Sequence, residues 1–180
     1  GILQYDKIQL YDGNVILNED AAEQEKQDIY EALKKDDRTK KTVENLLTQV
    51  KVHNGKKQGD VYLNVPEDTD TFSQLVIFED RVTKERYSLD DESVILTEKM
   101  AKTLDVVPGD TIWIQDDIKG EIPVKVKSVC ENYMNHYLYM TEALYETVYG
   151  KEPDYNAIYY QTQDGTTEQA QKIGEEMLEY

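Results

Sequence analysis

The chain has 180 residues, enough for one domain or two small lobes with a core that needs no covalent staple. Its 37 Asp and Glu against 20 Lys and Arg give a net charge of −17, which argues against a nucleic-acid surface and against docking on anionic lipid. Apolar residues make up 39% and charged residues 32%, the range of a folded domain with a heavily solvated surface, and the single cysteine, Cys130, excludes an internal disulfide.

Residues 2–11 read as a strand whose buried side carries Leu3, Tyr5, Ile8 and Leu10. Residues 19–35 read as a helix, with Ala22, Ile29 and Leu33 on one stripe, Ala32 beside it and charge elsewhere. Two strands are expected at 42–52 and 60–65, around an Asn54-Gly55 reversal, and Pro66 ends the second because proline lacks a ladder donor. This β-α-β-β opening is half of a split β-α-β unit. Short strands come next, at 74–79, 84–88 and 93–96. Thr97 then caps a helix that carries Met100, Ala101 and Leu104 on one face. Pro108-Gly109-Asp110 is a turn, with the Asp110 carboxylate reaching backbone beyond it. Alternating strands are expected at 111–115 and 121–129, where Ile122, Val124 and Val126 face one way and Lys125 and Lys127 the other. Residues 131–140 read as a hairpin that reverses near Met134-Asn135. Thr141 caps a helix that ends at Gly150, residues 156–161 form a strand, and Thr166-Thr167-Glu168-Gln169 is a capping box opening the last helix. The longest apolar runs, such as Leu75-Val76-Ile77-Phe78, are four residues where a membrane span needs about twenty. No signal peptide is present, so both chain ends read as excision points with any membrane anchor outside them.

The segment VILTEKMAKTLDVVPGDTIWI, residues 94–114, is strand, capped helix, tight turn and strand. Taken alone it fits several folds, AbrB-like DNA-binding hairpins and double-psi barrels among them; the acidic charge counts against the DNA reading. Two further segments narrow the field. VKVKSVCENYMNHYLYMTEALYETVYGKEPDYN, residues 124–156, resembles the extracellular domain of FtsX-like permeases from Gram-positive bacteria. YLNVPEDTDTFSQLVIF, residues 62–78, resembles the Val-Pro-Glu-Asp segment of the same family. The resemblance covers about residues 60–162; over residues 1–59 only the order strand, helix, strand agrees, and Asp91-Glu92-Ser93 stands where the family often has a glycine-containing turn.

The resemblance implies the extracytoplasmic domain of an FtsX-like/MacB-like ABC transporter permease at the extracellular face of a bacterial plasma membrane. Transmembrane helices of the same permease would flank it, and a separate cytoplasmic subunit would bind and hydrolyse ATP. The implied fold is α+β: a porter-like split β-α-β lobe, residues 1–66 plus 151–180, with an inserted small β-rich lobe, residues 67–150. The domain would be a non-catalytic coupling module. A freestanding extracellular binding or adhesion module is the alternative, and a hydrolase is a more distant one.

Tyrosine is over-represented, fourteen against two phenylalanines, and eight fall between Tyr133 and Tyr160. Such rings suit either a core edge or a contact surface for an extracellular protein, peptide or glycan. The contact reading selects Tyr133, His136, Tyr137 and Tyr139. His53 and His136 are the only histidines, and with one cysteine they do not make a zinc site. Cys130 reads as a small buried apolar residue. Asp68-Thr69-Asp70 and Asp90-Asp91-Glu92 fall short of a calcium loop. No nucleophile elbow or phosphate-binding glycine loop occurs, and no cofactor is implied.

Overall fold

The structure, a computed structural model, describes residues 4–18, 20–80, 83–131 and 136–178, with backbone alone at 4–8 and 80. Eleven strands and five helices run in chain order: β1 (Gln4–Gln9), β2 (Gly13–Ile16), α1 (Glu23–Lys35), β3 (Thr39–Asn54), β4 (Lys57–Pro66), α2 (Thr69–Phe72), β5 (Val76–Asp80), β6 (Arg86–Tyr87), β7 (Ser93–Thr97), α3 (Glu98–Leu104), β8 (Thr111–Asp116), β9 (Gly120–Glu131), β10 (Tyr137–Tyr139), α4 (Glu142–Tyr149), β11 (Ala157–Thr162) and α5 (Thr167–Leu178). None of these helices is long and apolar enough to cross a membrane.

Local chemistry explains most boundaries. Gly55 takes φ +62° in the reversal after Asn54, so β3 and β4 stay paired to within one register step of it. The Thr141 hydroxyl accepts from the Leu144 amide at 3.1 Å, and Gly150 at φ +72° closes α4. Thr97 stands at the N-cap of α3, but its hydroxyl accepts from the Tyr137 amide at 3.1 Å. The capping box of α5 is half formed: Thr166 Oγ1 accepts from the Gln169 amide, while Gln169 Oε1 accepts from the Asp164 amide. Asp110 reaches backward, accepting from the Val107 amide at 2.9 Å, and not forward as expected.

The strands form one sheet ordered β2-β11-β3-β4-β10-β7-β9-β1-β5-β6, with β8 pairing β3 and β9. Three sequence expectations are corrected by it. The split β-α-β unit opens with β2, since β11 lies between β2 and β3 and is antiparallel to both. Residues 4–9 instead pair with β5 and β9, and Leu10 is 40% exposed. The 131–140 segment is no hairpin across its described part: β10 lies parallel to β4 and antiparallel to β7, so β7 separates it from β9. Local sequence cannot distinguish a returning strand from one that crosses a neighbour, because both alternate with period two.

Side-chain alternation gives the sheet two faces. On one, Leu46, Leu63, Val65, Leu96, Leu138 and Val129 pack beneath α3 and α4, and Val15, Ile158 and Tyr160 beneath α1 and α5. On the other, Val43, Ile95, Cys130, Tyr139 and Tyr159 meet Phe72 of α2, Leu75 of the following turn and Phe78 of β5. Hydrogen bonding runs between residues 1–66 and residues 67–150, where β4 pairs β10, β3 pairs β8, and β1 pairs β5 and β9. The two segments assigned to separate lobes therefore share one sheet.

Candidate functional site

Register sets the tyrosine side of the sheet. Tyr137 sits opposite Tyr62 across the β10–β4 pair, and Tyr139 opposite Asn64. The Tyr62 amide donates to the His136 carbonyl at 2.8 Å, fixing the start of β10. A row of rings results: Tyr62 to Tyr137 at 5.9 Å between centroids, Tyr137 to Tyr139 at 5.5 Å, Tyr139 to Phe72 at 6.2 Å, Phe72 to Tyr159 at 6.4 Å and Tyr159 to Tyr11 at 4.8 Å. These separations fall in the attractive range for offset or tilted rings. Beneath the row, Asn64 Nδ2 donates to the Tyr159 hydroxyl at 3.2 Å, and the Asn45 and Asn64 amides touch at 2.6 Å. Burial lifts the Tyr11, Tyr139 and Tyr159 phenols above their usual range, so they stay neutral.

Of the four contact residues expected from sequence, Tyr133 lies outside the described residues. His136 and Tyr137 are half-buried at the open end of the row. Tyr139 is corrected: it is fully buried, because β10 is a central strand covered by α2 and β5, and it can touch no partner. The exposed ring at this end is Tyr62, which sequence reading missed since only the β4–β10 register brings it there.

A second feature is an open groove of about 820 Å³ lined by Glu67, Asp68, Asp70, Asp90, Asp91 and Glu142 around Tyr155. Three of these carboxylates, Asp68, Asp90 and Glu142, are taken up by the fold. Asp68 caps α2, accepting from Asp70 N and Thr71 N, and bonds from Thr71 hold its carboxyl below the usual range. Asp90 Oδ1 accepts from the Glu92 and Ser93 amides and the Ser93 hydroxyl. The Tyr155 hydroxyl donates to Glu142 Oε2 at 2.5 Å. Glu67 differs: burial, then the hydrogen bond and repulsion of Glu44, push its carboxyl up to about 7, against the pull of Lys34. Among the described residues no group of three or more His, Cys, Asp or Glu is disposed to hold a metal ion. His53 Nε2 meets Glu121 Oε1 at 2.8 Å, a pairing of one imidazole with one carboxylate.

No family model matches the chain, and no curated protein does. Solved structures do. The extracellular domain of the noncanonic ABC-type transporter YknZ from Gram-positive bacteria aligns over 94% of this chain and 89% of its own, with 18% identity and a TM-score of 0.53. The periplasmic region of MacB from Actinobacillus actinomycetemcomitans aligns over 85% of this chain and 72% of its own, with 17% identity and a TM-score of 0.50. The chain has the α+β fold of the extracytoplasmic domains of MacB- and YknZ-type ABC transporters.

Proposed function

We propose that the chain is the non-catalytic extracytoplasmic domain of an ABC transporter permease, coupling motion of its transmembrane helices to an extracellular substrate or partner. The observation that carries the reading is the correspondence to the YknZ domain over 94% of this chain and 89% of that one. A separate cytoplasmic subunit would supply ATP hydrolysis, and flanking helices of the same permease would drive the domain. The continuous sheet favours movement as a semi-rigid body, since moving one segment against the other would break ladder hydrogen bonds. In this reading residues 1–66 with 151–180 are the porter-like part, and 67–150 the β-rich part.

Spin labels at Ile16→Cys and Ile118→Cys, 52% and 86% exposed, test the rigidity in the intact transporter; Cys130 is buried and stays unlabelled. The distance between the labels is expected to be the same with and without ATP. A change on ATP addition overturns the semi-rigid lever.

The partner surface in this reading is Tyr133, His136 and Tyr137. Their triple alanine variant is expected to lose transport while the isolated domain keeps its unfolding midpoint. Unchanged transport removes the contact, and lost stability returns the rings to a packing role.

A further inference from the structure

The helix-covered face of the sheet is not closed along its whole length. Between α1 and α4 lies a cleft of about 400 Å³, at the small end of the ~300–1,000 Å³ of ligand sites. Its floor is Leu46 and Val50 of β3 and Leu63 of β4, all on the same face by register. Its wall is the pair Tyr145 and Tyr149, stacked with centroids 4.2 Å apart. Tyr149 is 8% exposed, and its buried hydroxyl has no hydrogen-bond partner among the described residues. A buried polar atom left unpaired in a native fold calls for an explanation, and a bound ligand is one.

The charges select the ligand's sign. Lys26 lines the cleft, but its ammonium is taken up by Glu23 at 2.7 Å and Asp154 at 3.0 Å. Asp116 spends Oδ2 on the Ile118 and Lys119 amides, and Oδ1 accepts no hydrogen bond among the described residues. Lys151 and Glu152, both exposed, also line it. Carboxylates thus exceed ammonium groups, in a chain that is −17 overall. Ring faces beside carboxylates hold organic cations by electrostatic attraction.

We propose that this cleft binds a compact organic amine bearing an aromatic ring: the ring lies between the aliphatic floor and the tyrosine pair, and the ammonium meets Asp116, with Tyr149 accepting a further N–H bond. The site is independent of the transport reading, because it rests on the cleft's own residues.

The test is an amide-resonance titration of the 180-residue chain with three probes sharing one ring: tryptamine, neutral tryptophol and anionic indole-3-acetate. Tryptamine is expected to shift Thr48, Val50, Leu63 and Tyr145 saturably, about tenfold more tightly than indole-3-acetate. Tyr149→Phe, and Asp116→Asn with Glu152→Gln, are expected to weaken tryptamine severalfold at an unchanged melting temperature. Absence of saturable shifts with tryptamine, equal affinity for tryptamine and tryptophol, shifts confined to other regions, or full affinity in the folded variants would each overturn the proposal. None of these outcomes bears on where the domain sits in the cell, which a separate labelling experiment reads.

Discussion

On one face of the sheet four helices lie over aliphatic side chains; on the other, α2 with β5 and β6 covers rings and a pair of asparagines. Helices bring whole apolar stripes, and the first face opens at the cleft between α1 and α4. The second cover is thin, and its ring row passes from fully buried Tyr139 to half-buried Tyr137 and exposed Tyr62. Tyrosine suits such a gradient because its ring packs while its hydroxyl stays wet. The two faces therefore divide the work: one supplies most of the interior, and the other leaves a graded aromatic flank facing outward.

Truncations measure whether both covers are true cores. Phe72 and Leu96 are 1% and 0% exposed on opposite faces. Phe72→Ala is expected to cost about 3–5 kcal/mol and Leu96→Ala about 2–5 kcal/mol in urea unfolding. A loss below about 1 kcal/mol for Phe72→Ala breaks the comparison, since α2 would then be a loose flap.

Asn64→Leu sharpens it. The Tyr159 hydroxyl and the Asn45 amide each lose one partner beneath the rings, for an expected loss of about 1–3 kcal/mol. Its unfolding midpoint should fall with the slope unchanged. On the helix face, Thr141→Ala removes the one side-chain cap of α4, and about 1 kcal/mol is expected to go with it in the same measurement.

The smallest effect is a pH dependence at the edge of the helix-covered face. Glu67 has its carboxyl raised from 4.5 to about 7, so the folded chain holds a proton that the unfolded chain has released between those values. Stability from this group is therefore fully present below about 4.5 and falls as pH rises toward about 7. Asp36, Asp68 and Glu176 act oppositely: their lowered carboxyls lose stabilisation only as pH drops below the ordinary carboxylate range. Glu67→Gln should flatten the melting temperature between pH 5 and pH 7 and leave the acid limb unchanged. A profile identical to that of the parent chain contradicts the raised carboxyl of Glu67.

Helix ends and strand alternation were legible in the sequence because they are local. Thr141, Gly150 and the stripe through Ile29 and Leu33 signal within four residues of where they act. The strand assignment of Gly13–Ile16 was not legible, since four residues carry too little alternation, and α2, a single turn of four residues, is too short to show a helical period. The insertion of β10 between β4 and β7 and the cleft between α1 and α4 depend on contacts separated by many residues, which no local pattern encodes. Family resemblance over residues 60–162 anticipated the fold where periodicity could not. The hairpin reading of residues 131–140 drew Tyr139 into a contact surface, although that ring is core.

Location tests the account most directly. Ile118 is 86% exposed and the only cysteine, Cys130, is 0% exposed, so Ile118→Cys gives one reactive thiol on the folded domain. In intact cells expressing the full-length protein, a membrane-impermeant maleimide should label this variant from outside, with the labelled chain recovered in the membrane fraction. Labelling only after the cells are broken open would contradict an extracytoplasmic domain, and labelled protein free of the membrane would contradict a permease.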